Sequence, residues 1–187
     1  LLRAAYGLPS PGDIRNCLVA LAAGAPAMTD LFAFRVPSRS DIAGHSLGNL
    51  VLIALTEVER DFAKAVRRAA EMLAIRGRVL PSTTRNVVLS AELSDGTVIE
   101  GESRIAGARS PVRRLRLEPG DATALPEAVE AIERADLVVI GPGSLYTSQV
   151  ATLLVRELSQ AIARSRARVV LVMNLMTEPG ETDGHTG

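Results

Sequence analysis

The residues best suited to chemistry form a glycine- and hydroxyl-rich loop, 141-GPGSLYTS-148. The loop follows an apolar stretch at 136–141, which is predicted to be a buried strand, and precedes a predicted helix at 149–163. Glycines let backbone N–H groups approach a ligand, hydroxyls add donors, and a helix N-terminus carries partial positive charge. The pattern predicts a phosphate or diphosphate site or else an unliganded strand–helix turn, because it matches neither the Walker loop nor the dinucleotide fingerprint. The contacts of the phosphate site would be Gly141, Gly143, Ser144, Thr147 and Ser148.

A second polar loop, 174-NLMTEPGETDGHTG-187, follows the next apolar stretch at 168–174. In an open α/β sheet the loops at the carboxyl ends of neighbouring strands share one crevice, so this loop is expected to face the first one. A solvated surface loop is the alternative. The spacing of Glu181, Asp183 and His185 is not a recognised metal-ligand pattern, and no metal ligand is assigned. The polar residues that this loop carries are Asn174, Thr177, Glu178, Glu181, Thr182, Asp183 and His185.

A third candidate is 44-GHSLG-48, which matches the G-x-S-x-G pattern of a serine-hydrolase nucleophile elbow. An elbow needs a buried strand before its serine, but residues 36–43 are polar and interrupted by a proline. We expect Ser46 to cap a helix, with His45 and Asn49 one turn apart and directed at a ligand, or with His45 as a structural hydrogen-bonding residue. The remote hydrolase alternative would use the triad Ser46, Asp136 and His185.

The composition limits the partners to be expected. The chain carries 21 basic and 21 acidic side chains, and its arginines are scattered, so it has no electrostatic footprint for nucleic acid or for an anionic membrane. Three Phe, two Tyr and no Trp do not supply a base-stacking platform. No signal peptide opens the sequence and no apolar run approaches the roughly 20 residues of a membrane helix, which predicts a cytoplasmic protein. The single cysteine, Cys17, is expected in the core.

The elements that must position these residues follow from hydrophobic periodicity. Apolar residues at helical spacing predict six helices, at 9–24, 28–36, 46–57, 60–75, 125–135 and 149–163. Runs rich in β-formers predict a hairpin at 86–105, with Asp95-Gly96 in its turn, and strands at 112–119, 136–141 and 168–174. The strand–loop–helix–strand order of residues 136–174 predicts a right-handed βαβ unit with a parallel sheet.

Four segments, in this order and at these separations, carry a family resemblance. They are 11-PGDIRNCLVALA-22, 44-GHSLGNLVLIALT-56, 141-GPGSLYTSQVATLL-154 and 174-NLMTEPGETDGHT-186. Together they resemble the YvcK/CofD-like family of gluconeogenesis factors and 2-phospho-L-lactate-transferase-like proteins. The resemblance implies an α/β fold with a Rossmann-like, mainly parallel sheet, flanking helices and an inserted β-hairpin. It also implies a single domain over 1–187, incomplete at both ends, with a β-rich insertion at 77–118, because the family's N-terminal glycine-rich loop and its C-terminal part are not represented.

The resemblance implies one of two functions. Members of the YvcK branch bind nucleotide sugars and are associated with cell shape, cell-wall metabolism and growth on gluconeogenic carbon. Members of the transferase branch move a phospholactyl group from a nucleotide diphosphate carrier to a deazaflavin alcohol. The segments GHSLGNL, GPGSLYTS and NLMTEPGETDGHT are similar to the YvcK branch, which favours a regulatory protein that binds UDP-N-acetylglucosamine or UDP-glucose. Magnesium is expected only under the transferase alternative, and a homodimer is left open.

Carried over position by position, the resemblance also implies the site residues. Gly141, Gly143, Ser144 and Thr147 would lie near the nucleotide phosphates. Asp13, Arg15 and Asn16 form a further polar cluster at a helix start, where Arg15 pairs with a phosphate or with a surface ion-pair partner. No catalytic residue is assigned. The cleft would be lined by Gly44, His45, Asn49, Asn174, Thr177, Glu181 and Asp183.

Overall fold

The computed structural model describes residues 9–37, 43–178 and 181–182. The chain divides into two compact units, Leu1–Asn86 and Val87–Gly187. The first unit is helical and the second contains both sheets described below. No helix within the described ranges combines the length and the apolarity needed to cross a membrane.

The described residues of the first unit form four helices at the places where the sequence predicts them. They are α1 (Gly12–Ala20), α2 (Pro26–Ala33), α3 (Leu47–Glu59) and α4 (Phe62–Met72). Helix α4 begins after Asp61, whose carboxylate accepts a hydrogen bond of 2.8 Å from the Lys64 N–H and so caps the helix. The helical spacing of apolar residues that predicted this helix is confirmed, because Phe62, Val66 and Ala69 of α4 are buried on one face. The core of this unit is formed by Leu18, Phe32, Leu52, Phe62, Val66, Ala69 and Leu73.

Helix α1 differs from the expectation at one position. Cys17 was expected in the core, but its side chain is exposed. The helix turns Leu18 and Arg15 inward instead, and both are buried. Because residues on one helix face recur every three or four positions, a face that contains positions 15 and 18 leaves position 17 on the opposite side.

The second unit begins with a three-stranded antiparallel sheet in the order β2-β1-β3. Its strands are β1 (Val88–Leu93), β2 (Val98–Glu100) and β3 (Val112–Glu118). Both neighbours pair with Ala91 of the central strand, Ile99 on one side and Leu115 on the other. The predicted hairpin is confirmed, and Gly96 in its turn has a φ of +84° that favours glycine.

The hairpin ends earlier than the sequence suggested. Residues up to 105 were expected to be strand, but the chain leaves the sheet at Gly101, where φ is +92°. The following residues form the short helix α5 (Glu102–Ala106). This helix places Ile105, which has no exposed surface, in a core with Leu89 and Leu93 of β1. Burial of Ile105 therefore outweighs the β propensity of the local sequence.

Asp95 in the hairpin turn gives the fold a pH dependence. Its carboxylate accepts a hydrogen bond of 2.6 Å from the Ser110 hydroxyl and one of 2.9 Å from the Thr97 N–H. These bonds, the one from Ser110 first, lower the pKa of Asp95 from its ordinary value. A carboxyl with a depressed folded-state pKa stabilises the fold above its unfolded pKa of about 3.9, and this contribution is lost as the pH falls through the folded-state value.

We therefore predict that Asp95→Asn lowers the thermal unfolding midpoint more at neutral pH than at about pH 2, because the contribution of the carboxylate is lost as the pH falls through its folded-state pKa. Circular dichroism melts at the two pH values measure the difference. Asp121→Asn, at another exposed aspartate of this unit, is the matched control and should leave the midpoint nearly unchanged. A loss for Asp95→Asn that is equally large at both pH values would contradict the prediction.

The remaining strands form a parallel pair, as the sequence predicts. After α6 (Pro126–Glu133), strand β4 (Leu137–Ile140) pairs with β5 (Arg168–Leu171) in the register Leu137↔Arg168 to Ile140↔Leu171. The α/β class and the parallel pairing are confirmed. Among the described strands, two are parallel and three are antiparallel.

The burial of these two strands differs from the expectation. Both were predicted to be buried, but Leu137 and Val139 of β4 and Leu171 of β5 are each about half exposed. Each strand has one strand partner within the described part of the chain, so both are edge strands. Side chains on edge strands have a neighbour on one side alone, which leaves more of their surface open to solvent.

The segment between β4 and β5 is not the single helix that was predicted for 149–163. A π-helical segment (Leu145–Val150) runs into α7 (Ala151–Leu153), and a separate helix α8 (Arg156–Arg164) follows. The break lies at Val155, which has an extended backbone and is buried. Residues on the two sides of it pack differently, because α7 lies against β3 whereas α8 lies against α6. Tertiary packing on two different surfaces explains why the helix is interrupted.

Candidate functional site

Loop 141–148 is held to the segment that follows β5 by a reciprocal pair of hydrogen bonds. The Gly143 N–H donates to Asn174 Oδ1 at 3.2 Å, and Asn174 Nδ2 donates to the Gly143 carbonyl at 3.0 Å. Gly143 follows the carboxyl end of β4 and Asn174 follows that of β5. The two loops that the sequence singled out therefore meet at one edge of the parallel pair, where ligands bind in open α/β sheets.

A carboxylate occupies the start of the helical segment that follows this loop. Glu181 Oε2 accepts hydrogen bonds from the Tyr146 N–H at 2.7 Å and the Thr147 N–H at 3.3 Å, and Oε1 accepts one of 2.7 Å from the Thr147 hydroxyl. Glu181 is 4% exposed. Free N–H groups at a helix start favour an anion. Thr147, which was predicted to contact a phosphate, thus binds a carboxylate of the chain itself, together with the N–H group of Tyr146.

A second glutamate supports the same loop. The Ser144 hydroxyl donates to Glu178 Oε1 at 3.3 Å, and the Glu178 N–H donates to the Thr182 hydroxyl at 2.6 Å. The other carboxylate oxygen, Glu178 Oε2, is buried and has no hydrogen-bond partner within the described residues. A buried acceptor without a donor is costly. Glu178 Oε2 is therefore an acceptor beside the loop that has no donor among the described residues.

Two supporting residues were missed by the sequence reasoning. Glu178 was noted only as one polar residue of its loop, and Gln149 was not considered. Gln149 Nε2 donates to the carbonyls of Gly141 and Gly143, at 3.2 and 3.1 Å, and so fixes the loop from the helix side. The signal for Gln149 was available, since a long amide side chain in the first turns of a helix can reach back to the preceding loop.

The other residues predicted to contact a ligand at this site are exposed or lie outside the described residues. Ser148 and Thr177 are exposed. Gly141 is exposed, and a Cβ added there would meet no atom within 4 Å. Asp183, like His185, lies outside the described residues. Within 9–37, 43–178 and 181–182, no group of three or more His, Cys, Asp or Glu side chains could share a metal ion.

In the first unit the serine of the G-x-S-x-G pattern is a helix cap. Ser46 is 1% exposed, and its Oγ accepts a hydrogen bond of 3.2 Å from the Asn49 N–H at the start of α3. The residue before the helix forms an isolated antiparallel bridge with Arg35 and does not end a buried strand. Gly44 has a φ of +76°, as expected for a glycine in the turn that precedes the cap. The capping prediction is confirmed, and the hydrolase interpretation loses its nucleophile.

The polar cluster at the start of α1 divides between surface and interior. Asp13 and Asn16 are exposed, whereas Arg15 is 8% exposed. Arg15 is therefore not the surface ion-pair partner that one interpretation allowed. The pKa of Arg15 is lowered from its ordinary value, first by burial and then by repulsion from Arg35, while Asp13 opposes the shift. The aliphatic part of the Arg15 side chain lies against Gly48 of α3. Gly48 belongs to the same unit as His45 and Asn49.

The structure is that of an α/β protein in which the loops after two parallel strands meet, and in which the Glu181 carboxylate accepts hydrogen bonds from the Tyr146 N–H, the Thr147 N–H and the Thr147 hydroxyl. The sequence matches the family described as "2-phospho-L-lactate transferase CofD" over residues 1–187. The chain belongs to the CofD family.

Its relatives include proteins named for gluconeogenesis. The chain is 45% identical over 185 residues to a "Gluconeogenesis factor" of Halalkalibacterium halodurans and 44% identical over 185 residues to one of Bacillus subtilis. Both alignments cover 99% of this chain and 58% of the relative. A crystal structure of a Bacillus halodurans protein of the upf0052 family matches with a TM-score of 0.94 at 45% identity, over 99% of this chain and 59% of the other. The chain thus spans somewhat more than half of these relatives, and the resemblance to the family is confirmed.

Proposed function

We propose that this chain is part of a cytoplasmic regulatory protein that binds a nucleotide sugar, UDP-N-acetylglucosamine or UDP-glucose, and acts in gluconeogenic growth, cell shape and cell-wall metabolism. The observation that carries the proposal is the meeting of the glycine-rich loop with the Asn174 segment at the carboxyl ends of β4 and β5. The similarity to proteins named gluconeogenesis factors supports the biological role.

The geometry suggests how a diphosphate would be held. The N–H groups of Tyr146 and Thr147 donate hydrogen bonds to the Glu181 carboxylate, which supports a role for them in binding an oxyanion. We infer that a ligand phosphate takes this place and that Glu181 moves aside, because two anions do not share one set of donors. The open side of Gly141 leaves room for the sugar or the second phosphate.

A transferase is the second candidate, favoured by the description of the matching family. The same loop would then hold a nucleotide diphosphate carrier, a deazaflavin alcohol would accept the phospholactyl group, and magnesium would assist. The two candidates share the phosphate site and differ in the second ligand. Ligand identity therefore distinguishes them.

The test is a thermal-shift titration of the protein with UDP-N-acetylglucosamine, UDP-glucose, and GDP with magnesium and a deazaflavin alcohol. A ligand at a hundredfold excess over its Kd stabilises the folded state by about 2.7 kcal/mol. We predict that the uridine sugars raise the unfolding midpoint. We also predict that Gly141→Ala weakens the binding of these sugars by roughly tenfold or more, because the added methyl group would occupy space that the ligand needs. The matched control is Gly120→Ala, where a Cβ meets only the Leu117 carbonyl at 3.6 Å.

A shift that requires GDP, magnesium and the deazaflavin alcohol would favour the transferase. If the uridine sugars raised the unfolding midpoint of Gly141→Ala as much as that of the wild type, the ligand would have to bind away from this loop. The absence of any shift would contradict both candidates.

A further inference from the structure

Strand β3 of the antiparallel sheet has a free edge. It pairs with β1 on one side and with no other strand in the described part of the chain. Its seven residues make it the longest of the described strands. An edge strand presents a row of unpaired backbone N–H and C=O groups, which form a template for pairing with another extended chain. The sheet is therefore open to one further strand beside β3.

The alternation of hydrogen bonds along β1 identifies the free groups of β3. The Leu89 carbonyl and the Leu93 N–H bond to residues on the β2 side. The intervening residues of β1 therefore bond to β3, where one of their partners is Arg116. The neighbours of Arg116 on β3, Leu115 and Leu117, direct their N–H and C=O groups to the free edge. No hydrogen bond joins these four groups to another part of the described chain.

The side chains of β3 alternate between two chemistries. Leu115 and Leu117 are partly buried against the core of the sheet, and helix α7 lies against the same strand. Arg114 and Arg116 alternate with the leucines and are exposed, so they lie on the outer face of the sheet. A strand that pairs with β3 places its own side chains opposite these residues on the same two faces. Apolar side chains opposite the leucines and acidic ones opposite the arginines favour such pairing.

The two outer arginines have no carboxylate partner among the described residues. Arg113, beside the irregularity in the β1–β3 register, forms an ion pair of 3.0 Å with Glu92. Arg114 and Arg116 are not among the ion pairs found between described residues. Their charge also disfavours a second copy of this chain at the edge. Two antiparallel β3 strands that keep both leucines paired within the strand set Arg114 opposite Arg116, or Arg116 opposite its own copy, and like charges in such positions repel.

We propose that the free edge of β3 is a docking site for an extended segment of a partner protein in which acidic and apolar side chains alternate. The backbone of this segment bonds to Leu115 and Leu117, and its carboxylates pair with Arg114 and Arg116. Strand addition of this kind takes its affinity from main-chain hydrogen bonds and its specificity from alternate side chains. The site stands on the second unit alone and does not depend on the function proposed above.

A protective role for the arginines makes a different prediction. Charged side chains on edge strands keep other strands away and so prevent aggregation. An edge that is only protected in this way rejects acidic and basic strands alike, and its backbone groups bind neither. A docking edge distinguishes the sign of the charge and needs the backbone N–H groups of the added strand. Peptides that vary these two properties separately therefore distinguish the two roles.

The experiment measures, by fluorescence polarisation, how the protein binds a labelled peptide with the sequence Val-Glu-Val-Glu-Val. Its valines lie opposite the free backbone groups of β3, and its glutamates lie opposite Arg114 and Arg116. We expect lysine in place of both glutamates to weaken binding by roughly tenfold or more. N-methylation of the central valine should abolish binding, because its N–H bonds to β3. N-methylation of a glutamate is the matched control and should be tolerated, since that N–H points away from β3.

A charge reversal in the protein tests the same contacts from the other side. Arg114→Glu combined with Arg116→Glu is expected to reverse the preference, so that the lysine peptide binds more tightly than the glutamate peptide. The matched control is Arg104→Glu combined with Arg109→Glu, which changes the net charge equally at two exposed arginines outside β3. This control should keep the wild-type preference. Should the first double variant not fold, the N-methylated peptides decide with the wild-type protein.

Each outcome decides the proposal. Preferential binding of the glutamate peptide that is lost on methylation of the valine, with a preference that the charge reversal inverts, supports the docking site. Equal affinities for the glutamate and lysine peptides, equal effects of the two methylations, or no binding of either peptide to the wild type overturns it. A wild-type dimer that the glutamate peptide dissociates assigns the edge to a second copy of the chain and overturns it as well.

Discussion

Replacing Gly48 with alanine is expected to lower the free energy of unfolding by about 2–3 kcal/mol, in the range of an overpacked core. The added methyl would lie 2.6 Å from the Phe32 carbonyl oxygen, 3.0 Å from Phe32 Cδ1 and 2.8 Å from Arg15 Cγ. The carbonyl belongs to the backbone of α2, so it cannot rotate away as a side chain does. Alanine is a better helix former than glycine by roughly 1 kcal/mol, but this gain is smaller than the cost of separating α2 from α3.

Gly12→Ala is the matched control for this prediction. Gly12 also lies in the first turn of a helix, and a Cβ added there meets no atom within 4 Å. The control should therefore be neutral or slightly stabilising. Urea denaturation of both variants gives the two free energies. If Gly48→Ala were as stable as Gly12→Ala, the close approach of α2 and α3 would not be essential to the fold.

Removing the carboxylate of Glu181 is expected to have an effect of similar size. Glu181→Ala deletes three hydrogen bonds, two from backbone N–H groups and one from the Thr147 hydroxyl. Hydrogen bonds to charged groups each contribute roughly 1.5–3 kcal/mol, and buried donors left without an acceptor add a cost. We expect a total loss of about 3 kcal/mol, because water entering the vacated space recovers part of the sum.

An anion added in solution should restore part of this loss, since the vacated N–H groups favour an oxyanion. Phosphate is expected to raise the unfolding midpoint of Glu181→Ala more than that of the wild type. The matched control is Glu133→Ala, because Glu133 is exposed and no bond to it is found among the described residues. This control should change the stability by less than about 0.5 kcal/mol. Equal phosphate responses in Glu181→Ala and the wild type would show that the helix start does not take an external anion.

Features set by neighbouring residues could be predicted from the sequence. The Ser46 cap depends on a hydroxyl and an N–H three residues apart, and the hairpin turn depends on the freedom of Gly96. The parallel pairing of β4 with β5 followed from their order along the chain. Each of these is a local or topological rule, so one sequence is sufficient.

Features set by distant residues could not be predicted in the same way. Glu181 and Thr147 are 34 positions apart, and the sequence marked both as polar without showing that one holds the other. The break at Val155 and the burial of Arg15 depend on which surfaces pack together. Hydrophobic periodicity is silent on both, because it reports one element at a time.

The bond between Glu181 and the helix start has a consequence for selectivity. A carboxylate tethered to its own donors acts as an intramolecular competitor, with an effective concentration of roughly millimolar or more. An external anion must offer more charge or more contacts than a carboxylate to replace it. Under the proposed function, chloride and simple carboxylates are therefore expected to be poor competitors, whereas a diphosphate attached to a sugar has the charge and the extra surface. The chain would thus be screened from the common small anions of the cell by one of its own side chains.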